Sequence, residues 1–158
     1  KGDCLFCGFY LNELLLRLLG ENDSHEEIYD SYINVLTELA SNTSIEYSLR
    51  KFEFSLLEQI GYALTLNTEA EHGKSITAEQ EYWFDPNVGF LLKTHINSTH
   101  KQINLFKGEE LIALENRDFI AFPLAAKRLM RLALEPHLGE KPLLSRNLFS
   151  KMMPAKNI

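Results

Sequence analysis

The sequence predicts a mainly α fold, a helical bundle that carries a small β-hairpin. Three observations predict it. The first 61 residues hold three apolar patterns of helical period, separated only by short polar turns with helix-capping residues. Two aromatic and apolar runs between Glu81 and Leu92 flank Asp85-Pro86-Asn87, as in a hairpin. A Leu-rich segment then opens at Pro123, a residue suited to the first turn of a helix.

In the first pattern, Gly8 to Leu19, apolar residues run almost all round the helix and leave Asn12, Glu13 and Arg17 as the polar stripe. Such a helix is buried on most sides. Gly20 ends it. Ser24 with Glu27 forms a capping box that starts a second helix running to about Ala40, with Ile28, Tyr32, Val35, Leu36 and Leu39 inward. Thr43 with Glu46 repeats the signal for a third helix, which turns Leu49, Phe52, Leu56, Leu57 and Ile60 inward and stops at Gly61 in a left-handed conformation. Helices joined by such short turns pack as neighbours.

Residues 67–78 are polar and patternless and read as a loop before the hairpin. Tyr82, Trp83 and Phe84 read as the buried side of that hairpin rather than as base-stacking rings. His95 to Gln102 is polar again, and Lys107 to Leu114 reads as a short helix begun at Gly108 and Glu109. The Pro123 helix extends to about Leu134, where Pro136 stops it, and Ser145 caps a last helix to about Met152. The chain of 158 residues is read as one domain over 1–158.

Composition excludes several classes. With 45% hydrophobic and 24% charged residues the chain is neither disordered nor, lacking any apolar run of membrane-spanning length, a membrane protein. The chain opens on Lys1 without Met, as a fragment would. Cys4-x-x-Cys7 has no second cysteine pair to complete a structural zinc site and no βαβ setting for redox work, so these read as incidental thiols of a cytoplasmic protein. The Asn22, Asn42 and Asn97 glycosylation matches matter only in a secreted chain, which nothing else suggests. The five His are scattered, and no nucleophile elbow, phosphate loop or dinucleotide fingerprint occurs. An enzyme is therefore not expected, and neither a catalytic residue, a metal nor a cofactor is assigned.

Charge is unevenly spread. From Lys127 onward seven Lys or Arg face two Glu, a balance of +5, whereas the preceding 126 residues hold nine cations against twenty carboxylates, or −11. On a helix, Lys127 and Arg131 share one face, Arg128 lies a step round, and Leu124, Leu129, Leu132 and Ala133 turn to the core. Lys141 and Arg146 flank a Gly- and Pro-shaped turn that leads to a helix N-terminus at Ser145, where free N–H groups favour an anion. The strip reads either as a solvated charged face or as a phosphate-contacting surface that gives affinity without sequence reading. Arg50 and Lys51, flanked by Leu49 and Phe52, form a second cation pair. It suits either stem packing with the charges in water or a groove for an acidic peptide with an apolar end.

Several blocks carry a resemblance beyond composition. Gly8-Phe-Tyr-Leu-Asn-Glu-Leu-Leu, Leu49-Arg-Lys-Phe-Glu with Gly61-Tyr62, Ala126-Lys-Arg-Leu-Met-Arg and Leu138-Gly-Glu-Lys-Pro-Leu-Leu-Ser-Arg-Asn-Leu-Phe149 occur here in an order and spacing that resemble the bacterial recombination and repair mediator family RecO. The match covers the chain after Phe6, and its last block is the most specific. The resemblance implies an all-helical C-terminal domain with a β-ribbon inserted at about residues 80–106. It implies binding of single- and double-stranded DNA, annealing of strands coated with single-stranded-DNA-binding protein and, with RecR, loading of RecA, all without nucleotide or bond chemistry and in the bacterial cytoplasm at the nucleoid. The DNA-contact residues expected from this are Lys127, Arg128, Arg131, Lys141 and Arg146. In the family the helical domain also receives the acidic, Phe-ending tail of single-stranded-DNA-binding protein, and the Leu-Arg-Lys-Phe motif places Arg50 there, with Lys51 by extension. An alternative reading makes this stretch chiefly a docking module for that tail, with little DNA binding of its own.

Two departures from the family pattern bear on function. The N-terminal OB-fold that supplies much of the family's DNA contact is not in this chain, which puts annealing by this stretch alone in question. Some members hold zinc through cysteines in the loop after the third helix. Residues 67–78 offer only His72 and no Cys, so no zinc is expected.

Overall fold

The computed structural model describes residues 2–20, 26–41, 44–95 and 102–146. Helices α1 (Gly2–Leu18), α2 (Glu26–Ala40) and α3 (Ile45–Gln59) come first, followed by a ribbon of β1 (Glu81–Asp85), β2 (Gly89–Leu92) and β3 (Leu105–Lys107). Helices α4 (Gly108–Glu115) and α5 (Pro123–Leu134) follow. The mainly α class with an inserted ribbon is the class read from the sequence.

The helices form where the apolar period is 3.6. Leu11 and Leu14 of α1, Ile28, Val35 and Leu39 of α2, and Leu49, Phe52, Leu56 and Leu57 of α3 are buried, and Leu129, Met130 and Ala133 of α5 join them in one cluster. Helix α1 begins earlier than its apolar run suggested and takes in Cys4 and Cys7, neither of them in a disulfide. Cys4 donates its S–H to the Leu39 carbonyl of α2 at 3.4 Å. The capping residues Ser24 and Thr43 and the glycosylation matches at Asn22, Asn42 and Asn97 lie outside the described residues.

Helix α3 ends as expected. Gly61 takes φ +86°, its N–H bonds the Glu58 carbonyl, and the Tyr62 N–H bonds that of Leu57 at 2.7 Å. These two bonds satisfy carbonyls that a helix end otherwise leaves open. The loop beyond has more order than its polarity suggested. Thr68 and Ser75 form a β-bridge, and the buried Glu69 carboxylate accepts the N–H groups of Glu71 (2.7 Å), His72 (2.8 Å) and Lys74 (3.1 Å).

The ribbon has three strands in the order β2-β1-β3, all antiparallel. Strand β3 corrects the sequence reading, which gave a two-stranded hairpin: Phe106 lies opposite Tyr82. Alternation also splits the three aromatics of β1. Tyr82 and Phe84 are buried with Phe90 and Phe106, while Trp83 faces the other way and is only half-buried. Gly108 joins β3 to α4 by close approach, since a Cβ there would meet the Thr77 carbonyl oxygen at 1.8 Å.

Pro123 stands at the start of α5 and the α-helix ends at Leu134, both as expected, with Pro136 in the 3₁₀ turn Glu135–His137 that follows. Leu124 is a second correction: it is 81% exposed, because it shares the face of Lys127, Arg128 and Arg131 and not that of the buried Ala125, Ala126 and Leu129. A third concerns Ser145, which stands inside the final helical turn (144–146) rather than capping it. That helix's continuation to Met152, with Phe149, lies outside the described residues. Among the described residues no helix is long and apolar enough to cross a membrane.

Candidate functional site

A groove of about 680 Å³ lies where α1, α3, α5 and the final turn meet. Its floor is apolar: Phe6, Cys7 and Tyr10 from α1, Ile45 and Leu49 from α3, Ile103 from the turn before β3, and Leu124. Around that floor stand Arg50, Lys127, Arg128, Arg131 and Arg146, with Glu46 as the carboxylate among them. Arg50, assigned to the third helix's peptide region, and four of the five cations assigned to DNA therefore share one site.

Each cation is held differently. Arg50 is 6% exposed and forms an ion pair with Glu53 at 2.9 Å. Lys127 is exposed and pairs with Glu46 at 3.1 Å across the groove mouth. Arg128 is half-buried: it donates to the Leu105 carbonyl at 2.8 Å, lies 3.4 Å from Glu110, and stacks 4.2 Å over the Phe106 ring. It pins α5 to the ribbon and is a poor candidate for a free phosphate contact. Arg131 is exposed and, among the described residues, has no ion pair. Arg146 lies 5.6 Å over the Tyr10 ring. An unpaired guanidinium over an apolar floor attracts an anion and leaves the neighbouring surface free to bury apolar groups.

The remaining two expected residues stand elsewhere. Lys51 turns to the α2 side and pairs with Glu38 at 2.7 Å, an ion pair that raises the Lys51 ammonium above its ordinary value and lowers the Glu38 carboxyl. Lys141 is exposed but does not line the groove. Its carbonyl, with those of Leu138 (3.3 Å) and Pro142 (2.9 Å), accepts the Arg17 guanidinium.

The anion-ready helix N-terminus expected at Ser145 is already filled from within the chain. Glu13 of α1 accepts the N–H groups of Leu144 and Ser145, both at 2.9 Å, and the Ser145 hydroxyl at 2.7 Å. Burial raises the Glu13 carboxyl, but those bonds and Arg17 at 2.7 Å outweigh it and hold it below its ordinary value. Glu13 and Arg17 together fasten the 138–146 stretch to α1 and so set Arg146 above Tyr10.

Sequence reasoning missed the layer beneath the floor. Tyr10 donates its hydroxyl to Glu53 Oε1 at 2.6 Å, and Glu53 is fully buried. Burial pushes the Glu53 carboxyl above its ordinary value against the opposing pull of Arg50 and the Tyr10 hydroxyl, and burial likewise raises the Tyr10 phenol. The signal was present: Glu53 stands one turn after Arg50 on the otherwise apolar face formed by Leu49, Phe52 and Leu56.

Away from the groove, Glu69, Glu71 and His72 place one ligand atom each within 4.8 Å of one another. The three backbone bonds already made by Glu69 account for its position, and the set carries no thiolate.

The family model described as recombination protein O C terminal matches residues 2–147. The chain is similar to a protein named DNA repair protein RecO from Pseudomonas paraeruginosa strain DSM 24068 / PA7, with 44% identity over 151 residues, 94% of this chain and 62% of that protein. Proteins of the same name from Stutzerimonas stutzeri strain A1501 and Actinobacillus succinogenes strain ATCC 55618 are 42% and 40% identical over 96% and 92% of the chain. The chain spans 62% and 60% of the length of these two.

Proposed function

The chain belongs to the recombination protein O family, and on that premise we propose that it is the part of a DNA repair mediator that docks the acidic, Phe-ending tail of single-stranded-DNA-binding protein. Docking would bring the mediator to coated DNA in the bacterial cytoplasm, where strand annealing and, with RecR, the loading of RecA follow. The role requires no bond chemistry and no cofactor.

One observation carries this reading: the cations converge on an apolar groove instead of spreading over an open face. An acidic peptide with an apolar end satisfies both halves of such a site. Its carboxylates meet Arg131, Arg146 and Lys127 at the rim, and its ring is buried against Phe6, Leu49 and Leu124. A bare phosphate chain would leave the floor uncovered.

Titration of a labelled acidic peptide ending in Phe tests the proposal. Arg131→Glu should weaken binding about tenfold, which is ~1.4 kcal/mol, with a salt dependence flatter than that of the wild type. Lys51→Glu and Lys141→Glu, both off the groove, should leave it within about twofold. Equal affinity in wild type and Arg131→Glu refutes the docking reading. The second reading, contact of Lys127, Arg131 and Lys141 with DNA phosphates, is favoured by the local excess of cations after Lys127. It predicts that Arg131→Glu and Lys141→Glu, but not Lys51→Glu, lose oligonucleotide binding with a shallower salt slope.

A further inference from the structure

We propose that Glu53 is a proton-linked counter-charge of the groove, ionised against Arg50 while the groove is empty and protonated when an acidic ligand seats, so that docking strengthens as pH falls. The inference rests on the docking reading above and concerns how that same site is regulated.

The geometry beneath the floor points to it. Glu53 Oε1 is engaged twice, by the Tyr10 hydroxyl at 2.6 Å and by Arg50 at 2.9 Å. Oε2 is buried without a hydrogen-bond partner among the described residues, and so is Arg50 Nε. Arg50 lines the groove while Glu53 lies behind it with no exposure. A ligand therefore meets a guanidinium whose charge is already cancelled from the far side.

A carboxylate seated at Arg50 would place a second anion on a cation that one buried anion already neutralises. In a desolvated setting like charges so near each other cannot both remain ionised at little cost. The ligand's carboxylate is the more hydrated and the more acidic, so the proton goes to Glu53. It comes from solvent and binds Oε2, the unpartnered oxygen, leaving the Tyr10 bond on Oε1 intact. The guanidinium of Arg50 is thereby released to the ligand.

The surrounding charges leave Glu53 as the group poised to respond. On α1 the Tyr10 phenol stays protonated far above neutrality, held up by burial and by Glu53 itself. On α3 Glu46 is occupied by Lys127 of α5. Burial opposes the ionised form of Glu53, as does the nearby charge of Glu46, while Arg50, the Tyr10 hydroxyl and Arg146 favour it. On the α2 side Lys51 and Glu38 neutralise each other.

By linkage, uptake of one proton per ligand steepens affinity by up to about tenfold per pH unit within the titration window, in the direction of tighter binding at lower pH. The test is calorimetric titration of the Phe-ending acidic peptide into the wild-type chain in two buffers of unlike ionisation enthalpy, repeated between about pH 5.5 and 7.5, where the peptide's own carboxylates stay ionised. The expected result is a buffer-dependent enthalpy that reports proton uptake, with affinity rising as pH falls. Glu53→Gln, close in shape, should bind with no uptake and with affinity flat in pH. Binding without uptake in the wild type, or equal uptake in Glu53→Gln, overturns the inference and leaves docking intact. A peptide that does not bind at any pH overturns the docking reading and this inference with it. Should Glu53→Gln fail to fold, the wild-type measurement in two buffers decides alone.

Discussion

The Glu13 carboxylate on the first helix accepts the backbone N–H and the hydroxyl of Ser145, at 2.9 and 2.7 Å, across 132 positions of chain. A local pattern cannot announce such a bond, yet it closes the bundle. Glu13→Ala should lower stability by about 2 to 3 kcal/mol, since several hydrogen bonds to one charged group are lost together. The pH sign follows from the folded carboxyl being held below its unfolded value. The contribution is present at neutral pH and disappears as pH falls through and below the ordinary carboxylate range. Urea midpoints of wild type and variant should therefore converge between about pH 6 and pH 3.

Arg50 cannot be removed alone without consequence. Arg50→Ala leaves Glu53 a buried carboxylate without its ion-pair partner, its hydrogen bond to the Tyr10 hydroxyl remaining, and should cost about 3 to 5 kcal/mol. Adding Glu53→Gln to it should restore much of that loss, because the uncompensated charge goes. A double-mutant cycle by chemical denaturation gives the coupling, and additive losses would contradict it.

Leu124 separates docking from folding. At 81% exposure its side chain holds nothing together, so Leu124→Asp should shift unfolding by no more than about 0.5 kcal/mol. The same change puts a carboxylate on the groove floor and should weaken the acidic peptide about tenfold or more, read by fluorescence anisotropy.

Gly108 is fixed by space. Its missing Cβ would collide with the Thr77 carbonyl, so Gly108→Ala should force the loop before β1 away from α4 and cost about 2 to 3 kcal/mol in thermal unfolding. Gly73, whose missing Cβ would meet nothing within 4 Å, provides the contrast. Gly73→Ala there bears only the penalty of its φ of +67°, about 1 kcal/mol.

Glu69 organises its loop through three backbone N–H groups. Glu69→Ala should speed hydrogen exchange at Glu71, His72 and Lys74 while amides of α3 and α5 stay protected. Burial raises its carboxyl, the bonds to Lys74, Glu71 and His72 outweigh that, and the net shift is downward. Protection of these amides should accordingly fall as pH drops below the carboxylate range, after correction for the intrinsic exchange rate.

Helices α1, α2, α3 and α5 were legible because their signal is local: apolar residues at a period of 3.6, with Pro123 and Gly61 as punctuation. Strand β3 was not, since three residues hold no alternation of their own and become a strand only by pairing with β1. Leu124 is apolar by type but stands on the cationic face of α5, one i+3, i+4 and i+7 step from Lys127, Arg128 and Arg131, so its apolar character alone misplaces it in the core. The cations stand out in the sequence as a group, yet which of them line the groove was invisible there. Arg128 spends its guanidinium on Leu105 and Phe106, and Lys51 turns away, through contacts that only the tertiary structure brings about. Glu53 was passed over because a helical carboxylate reads by default as solvated.

The groove draws its floor from α1 and its far rim from Arg146, so it spans nearly the whole described chain. As the chain is synthesised, Glu13 and Arg17 have no carbonyls or N–H groups to hold until residues 138–146 have emerged. The groove is thus complete only once the chain through Arg146 has been made. A ligand that fits it binds only chains whose α1 and 138–146 stretch are already joined, and so stabilises that folded state over every opened one.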